Sequence, residues 1–253
     1  MRKLVIGALV LLIALISIFV VSEFSQYEQH RMAYLGTLIK NGYFTGDYDT
    51  SSREPLFYAI PVPVDVQADM MGKIIYPNSL MTFEDLRYLR ISYWGYDDAV
   101  HFGEMVVHSL VADEVLQIFE ELFDNRFPIE RMVLPDLYDG NDEYSMRDNN
   151  TSAFNDRPIS ATARSYHQFG LAIDINPLYN PYYNPATGSL LPSTAREYLH
   201  RDLDVKGGIR KGDICYEIFA KYGWTWGGDY RTLKDYQHFE KTTVIDIRSY
   251  KRG

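Results

Sequence analysis

The chain has 253 residues, 46% of them hydrophobic, which is enough to build a core and too many for a disordered polypeptide. Its 25 basic and 34 acidic residues leave a formal charge of −9. That balance argues against nucleic-acid binding, which needs a basic face, and leaves any anionic ligand to be caught by local arginines. The single cysteine, Cys215, excludes an intrachain disulfide and any cysteine-rich zinc site.

Met1-Arg2-Lys3 precedes an unbroken run of apolar and small residues from Leu4 to Val21. As a helix this run is about 27 Å long, enough to span a bilayer. Arg2 and Lys3 before it and Glu23 after it place the N-terminus in the cytoplasm and the remainder outside. Residues 1–22 are therefore expected to be a transmembrane anchor. A cleaved signal segment is the competing reading, although neither an A-x-A site nor a lipid-accepting cysteine follows the run.

Residues 23–82 read as an extracytoplasmic arm or linker. A polar helix is expected over 24–40, followed by turn signals at Asn41-Gly42 and Thr45-Gly46-Asp47 and an extended piece at Ile60-Pro61-Val62-Pro63-Val64. The compact domain is expected over 83–253. Leu86–Trp94 alternates as a strand. Residues 103–127 predict a long helix, with Val107, Leu110, Val111, Val115, Ile118, Phe119 and Leu122 as its apolar stripe. Ile129–Leu134 reads as a short strand, and the polar stretch 135–157 as a long loop.

Beyond it, Leu171–Ile175 predicts a buried strand ended by Asn176-Pro177. A loop with three Asn-Pro pairs follows, carrying Tyr179, Tyr182 and Tyr183 either as an aromatic wall of a groove or as a rigid connection. A helix is expected over 213–222, with Cys215, Ile218, Phe219 and Tyr222 on its buried face, and a last strand over 236–241. Strands and helices mixed without regular alternation point to an α+β fold with a small mixed or antiparallel sheet.

Two of the six histidines stand beside acidic residues in strongly patterned surroundings. His167 precedes Asp174 by seven positions, across Gly170, and His238 follows Asp235 by three. Zinc accepts imidazole nitrogen and carboxylate oxygen, and two histidines with one aspartate leave a catalytic zinc its open position. Asp235 is then free to act as a general base. An offset of seven puts His167 and Asp174 on opposite faces of a continuous strand, so they converge only if the chain turns, as Gly170 permits. Spacing alone leaves open the other reading, two satisfied histidines and two surface aspartates. His101, His108 and His200 match no pattern.

The block Ser165-x-His167-x-x-Gly170-x-Ala172-x-Asp174 resembles that of the D-alanyl-D-alanine carboxypeptidase family of zinc peptidases, the VanY/VanX-like group with the Hedgehog/DD-peptidase fold. The second block, Trp226-Gly227-Gly228-Asp229 followed by Asp235-Tyr236-Gln237-His238-Phe239, is similar too, and Asn149–Arg157 resembles the loop that enters the first block. The resemblance covers roughly residues 83–245. It implies zinc as cofactor, His167, Asp174 and His238 as its ligands, and Asp235 as the base, where many relatives carry Glu. It also implies an arginine that steadies the oxyanion, with Arg157 the first choice and Arg147 and Arg164 as rivals. Ser165 is expected to bind substrate or to hold its loop.

The apolar run and its Arg2-Lys3 flank make the chain a single-pass membrane protein with its catalytic domain extracytoplasmic, and the resemblance implies a bacterial cell membrane as its place and the peptidoglycan stem peptide as its partner. D-Ala-D-Ala carboxypeptidase activity is the leading expectation. An L,D-endopeptidase and a non-catalytic zinc-bearing wall-peptide module are the alternatives.

Overall fold

The computed structural model describes residues 55–157 and 164–250. The expected anchor, the polar helix at 24–40 and its turn signals lie outside the described residues. Among the described residues no helix is long and apolar enough to cross a membrane.

The chain opens on β1 (Phe57–Pro61) and α1 (Val64–Met70), then a long hairpin, β2 (Leu86–Trp94) and β3 (Val100–His108), and α2 (Ala112–Asp124). β4 (Arg131–Met132), α3 (Asp142–Arg147), β5 (Asn150–Thr151) and β6 (Ala172–Asp174) lead into the candidate site. β7 (Tyr182–Asn184), β8 (Ser189–Leu191), α4 (Ile214–Lys221), β9 (Thr225–Trp226), β10 (Lys234–Asp235) and β11 (His238–Glu240) complete the fold. The strands form small sheets: antiparallel β1-β2-β3, β6-β11-β9 and β10-β7-β8, and the parallel pair β4-β5. The result is a mixed α+β protein.

The β2–β3 hairpin keeps one register from Leu86↔His108 to Trp94↔Val100. Residues 103–108 are all buried, because both faces of β3 are covered. Gly103 lets Met132 close on the sheet, since a Cβ there would lie 2.6 Å from the Met132 side chain. α2 packs Val115, Ile118, Phe119 and Leu122 into the core. Each such side chain contributes roughly 1.5–3 kcal/mol by burial.

The helix expected over 103–127 is thus a strand followed by a shorter helix. Val107 belongs to β3, and Leu110 is 65% exposed in the turn between them. Burial on both faces removes the period-two alternation, so β3 and α2 read as one apolar stripe.

Residues 57–81, expected in the arm, pack onto this core. β1 pairs with β2, and Val62, Met70, Ile74, Ile75 and Met81 are buried. Prolines stop an edge strand less than a central one, and Pro61 ends β1 while Pro63 caps α1. The polar stretch 135–157 also holds more structure than a loop. Asn141 caps α3 by accepting the Tyr144 N–H, and Asn150 exchanges hydrogen bonds with the Val133 backbone at 2.9 and 3.0 Å. α4 forms as expected, with Cys215, Ile218 and Phe219 buried and Phe219 stacked on Phe239 of β11.

Candidate metal centre

The turn that carries His167 is built by its neighbours. Ser165 Oγ accepts the His167 N–H at 3.2 Å, and Gln168 Oε1 accepts the Ser165 N–H at 3.0 Å, so the two ends of a 3-10 turn over Tyr166–Phe169 cap each other. Gly170 then takes φ +64° and reverses the chain into β6. A Cβ on it would stand 2.6 Å from the His108 nitrogen, so both backbone angle and close approach require glycine. This turn resolves the odd seven-residue offset between His167 and Asp174.

Asp174 meets His238 because β6 and β11 pair antiparallel with these two residues directly opposite. His167 Nε2 lies 3.1 Å from His238 Nδ1 and 3.3 Å from Asp174 Oδ1, and His238 Nδ1 lies 3.0 Å from the same oxygen. The outer nitrogens are held as well. His167 Nδ1 is 2.6 Å from the Ala153 carbonyl, which can only accept, so Nδ1 carries the proton. His238 Nε2 is 3.3 Å from Glu240 Oε2 and donates to that carboxylate. In the neutral rings, Nε2 of His167 and Nδ1 of His238 are then bare lone pairs, facing each other and a carboxylate oxygen.

Three acceptors at such distances repel unless positive charge lies among them, either a cation or a second proton on His238. The surrounding field is arranged for that charge. Burial works to lower the His238 pKa, but Asp174 and Glu240 hold it well above the ordinary histidine value. Burial likewise works to raise Asp174, and His167 and His238 overcome it, keeping the carboxyl far below the usual range. Two imidazole nitrogens and one carboxylate oxygen, each oriented by an outer hydrogen bond, make a donor set suited to zinc.

The three residues open onto a cleft of about 970 Å³ that also exposes Asp235, Arg157, Arg164, Ser165 and Tyr182. Burial pushes the Asp235 carboxyl up to about 6 against the pull of His238, and Asp174 adds to the rise. β10 carries Asp235 into place over the Trp226-Gly227-Gly228 turn. A Cβ on Gly227 would meet the Asp235 carbonyl at 2.6 Å, one on Gly228 would meet the Trp226 ring at 2.3 Å, and Trp226 Nε1 donates to the Tyr236 carbonyl at 2.8 Å. The glycines of this block are therefore packing requirements that bring Asp235 to the cleft.

The three candidate arginines separate. Arg157 lines the cleft and pairs with Asp142; burial lowers its pKa while Asp174 and Asp235 oppose that. Arg164 lines the cleft but gives Nη1 to the Ile247 and Tyr250 carbonyls at 2.6 and 2.7 Å. Arg147 is bound to Glu143 and Ser193 and does not line the cleft. Of the tyrosines in the Asn-Pro loop, Tyr182 lines the cleft, whereas Tyr179 stacks with Tyr96. His101 pairs with Asp97, and His108 Nδ1 accepts the Leu110 N–H; both stand apart from the cluster.

Glu240 and Tyr230 belong to the site although the motif pattern does not point to them. Glu240 stands two residues after His238 on one strand, so period two puts both on the same face, a signal that was available. Burial and Glu240 raise the Tyr230 phenol strongly. The Ala153 carbonyl carries no side-chain signature.

A mixed α+β fold with a His/Asp/His donor cluster beside a buried acid in a cleft defines a candidate mononuclear metal enzyme. Residues 159–241 match the family model described as D-alanyl-D-alanine carboxypeptidase, a family of zinc peptidases. The segment that holds the whole donor cluster and Asp235 is thus similar to a peptidase. No curated protein and no solved structure matches the chain significantly.

Proposed function

We propose that this chain is a zinc-dependent peptidase of the Hedgehog/DD-peptidase fold that removes the terminal residue from D-Ala-D-Ala ends of peptidoglycan stem peptides. Residues 1–22 hold it in the bacterial cell membrane with the catalytic domain outside the cytoplasm. The observation that carries this reading is the convergence of His167 Nε2, Asp174 Oδ1 and His238 Nδ1 inside the matched segment.

His167, Asp174 and His238 would hold the zinc, three protein donors being the usual catalytic set. When bound, zinc would supply Lewis-acid polarisation of the scissile carbonyl and acidification of the attacking water. Asp235, with its carboxyl raised toward neutrality by burial, takes the proton of that water and returns it to the leaving amine. Arg157 offers its guanidinium to the charge that develops on the carbonyl oxygen. Ser165 fixes the His167 turn, and Glu240 and the Ala153 carbonyl fix the two imidazoles.

The test is to incubate the full chain with purified stem peptide and read the products by mass spectrometry. Loss of one terminal D-Ala is expected. An internal cut would replace the assignment by an L,D-endopeptidase, and tight binding without cleavage by a wall-peptide module. Protease added to spheroplasts should digest the domain, and protection there would overturn the topology.

A further inference from the structure

The strand that ends in Glu240 continues into a segment that returns to the cleft. Ile247 and Arg248 both line it, and both lie beyond the family match at 159–241. The segment is anchored rather than draped. Arg164 Nη1 donates to the Ile247 and Tyr250 carbonyls, Ile247 is buried, and the Tyr250 ring meets Phe169 edge-on at 5.2 Å. Phe169 belongs to the turn that presents His167, so this wall and the donor cluster share one support. Asp246 closes the turn. Its Oδ1 accepts the Arg248 N–H at 3.0 Å, its Oδ2 accepts the Ser249 hydroxyl at 2.7 Å, and its carbonyl accepts the Tyr250 N–H at 3.1 Å.

We propose that Arg248 is a specificity-determining residue that binds a carboxylate of the substrate peptide, presented by the anchored wall 247–250. This rests on the peptide-substrate reading above. Three arginines line the cleft, and two have other work: Arg157 is paired with Asp142, and Arg164 is bonded to backbone carbonyls. Among the described residues the Arg248 guanidinium has no ion pair. Its charged neighbour Asp246 already spends both oxygens on the turn. Asp174, Asp235 and Glu240 gather the carboxylates of the cleft around the donor cluster, where a bound zinc would offset them, and Arg248 puts a cation on the wall 247–250, so a substrate carboxylate has a charge partner there. In a chain of net charge −9, no general field would do this.

The source of the carboxylate is either the peptide's own C-terminus or an internal side chain. Two pairs of synthetic peptides ending in D-Ala-D-Ala separate them, one pair differing as free acid and amide at the C-terminus, the other at an internal carboxyl. Their affinities are measured calorimetrically on the full chain carrying Asp235→Asn, with and without Arg248→Gln. The parent should prefer the acid of one pair by about tenfold or more, the scale of a hydrogen bond to a charged group. Arg248→Gln should abolish that preference while leaving thermal unfolding unchanged. Arg164→Gln, which frees the wall, should weaken the preference as well. Retention of the full preference by Arg248→Gln, or a parent indifferent to both pairs, would overturn the proposal. A chain with Asp235 intact that discriminates acids from amides yet cuts neither would sustain Arg248 and end the peptidase reading instead.

Discussion

His238 stands directly opposite Asp174 across the β6–β11 pair, with its Nδ1 3.0 Å from Asp174 Oδ1. Facing residues of an antiparallel pair share one side of the sheet, so two side chains 64 positions apart become neighbours by register alone. Glu240, two residues on, falls on the same side and holds the far nitrogen of His238. One strand therefore supplies both a donor and the group that orients it, and the His167 turn brings the third donor.

The donor set is open to a direct test by metal analysis. The full chain should bind about one zinc, and His167→Ala, Asp174→Ala and His238→Ala should each lose it, since a site needs all three protein ligands. Full zinc retention by any one variant would remove that residue from the set.

Asp235→Asn separates chemistry from metal binding. Asparagine keeps the size of the side chain but cannot take a proton, so zinc content should hold while peptide hydrolysis falls by roughly a hundredfold to ten-thousandfold. Loss of zinc in this variant would make Asp235 a ligand and require a different site.

Arg157→Ala should keep zinc and fold and lose turnover. Removal of a group that stabilises the oxyanion costs about a hundredfold or more in kcat. Near-normal kcat would transfer the role to Arg164, the other candidate arginine that reaches the cleft.

Gly170→Ala probes the turn. A left-handed non-glycine residue costs about 1–3 kcal/mol, and the added Cβ would also press on the His108 backbone. Urea unfolding should show a loss of at least this size, together with weaker zinc binding as His167 is displaced. A variant as stable as the parent would show that the turn tolerates side chains.

Some of this protein was legible in its sequence because the signal was local. α4 announces itself by the spacing of Cys215, Ile218 and Phe219, β2 by the alternation along Leu86–Trp94, and the two motif blocks by the unusual density of Gly, His and Asp in fixed order. The donor residues could be named from those blocks, and the need for a turn at Gly170 followed from strand parity. β3 and α2 read as one helix in the sequence because a strand covered on both faces loses the alternation that marks it. β1 and α1 look like arm in the sequence because prolines mask an edge strand, and pairing with β2 is what makes Phe57–Pro61 a strand.

The remainder belonged to tertiary structure. Which imidazole nitrogen faces the centre depends on the Ala153 carbonyl and the Glu240 carboxylate, partners contributed by distant backbone and by strand register. What each candidate arginine can do depends on what already holds it: Glu143 and Ser193 hold Arg147, the Ile247 and Tyr250 carbonyls hold Arg164, and Arg157 pairs with Asp142 while still lining the cleft. A sequence sets what a side chain can donate or accept, but the folded chain decides which partners lie within about 3 Å, and hydrogen bonds act only at that range.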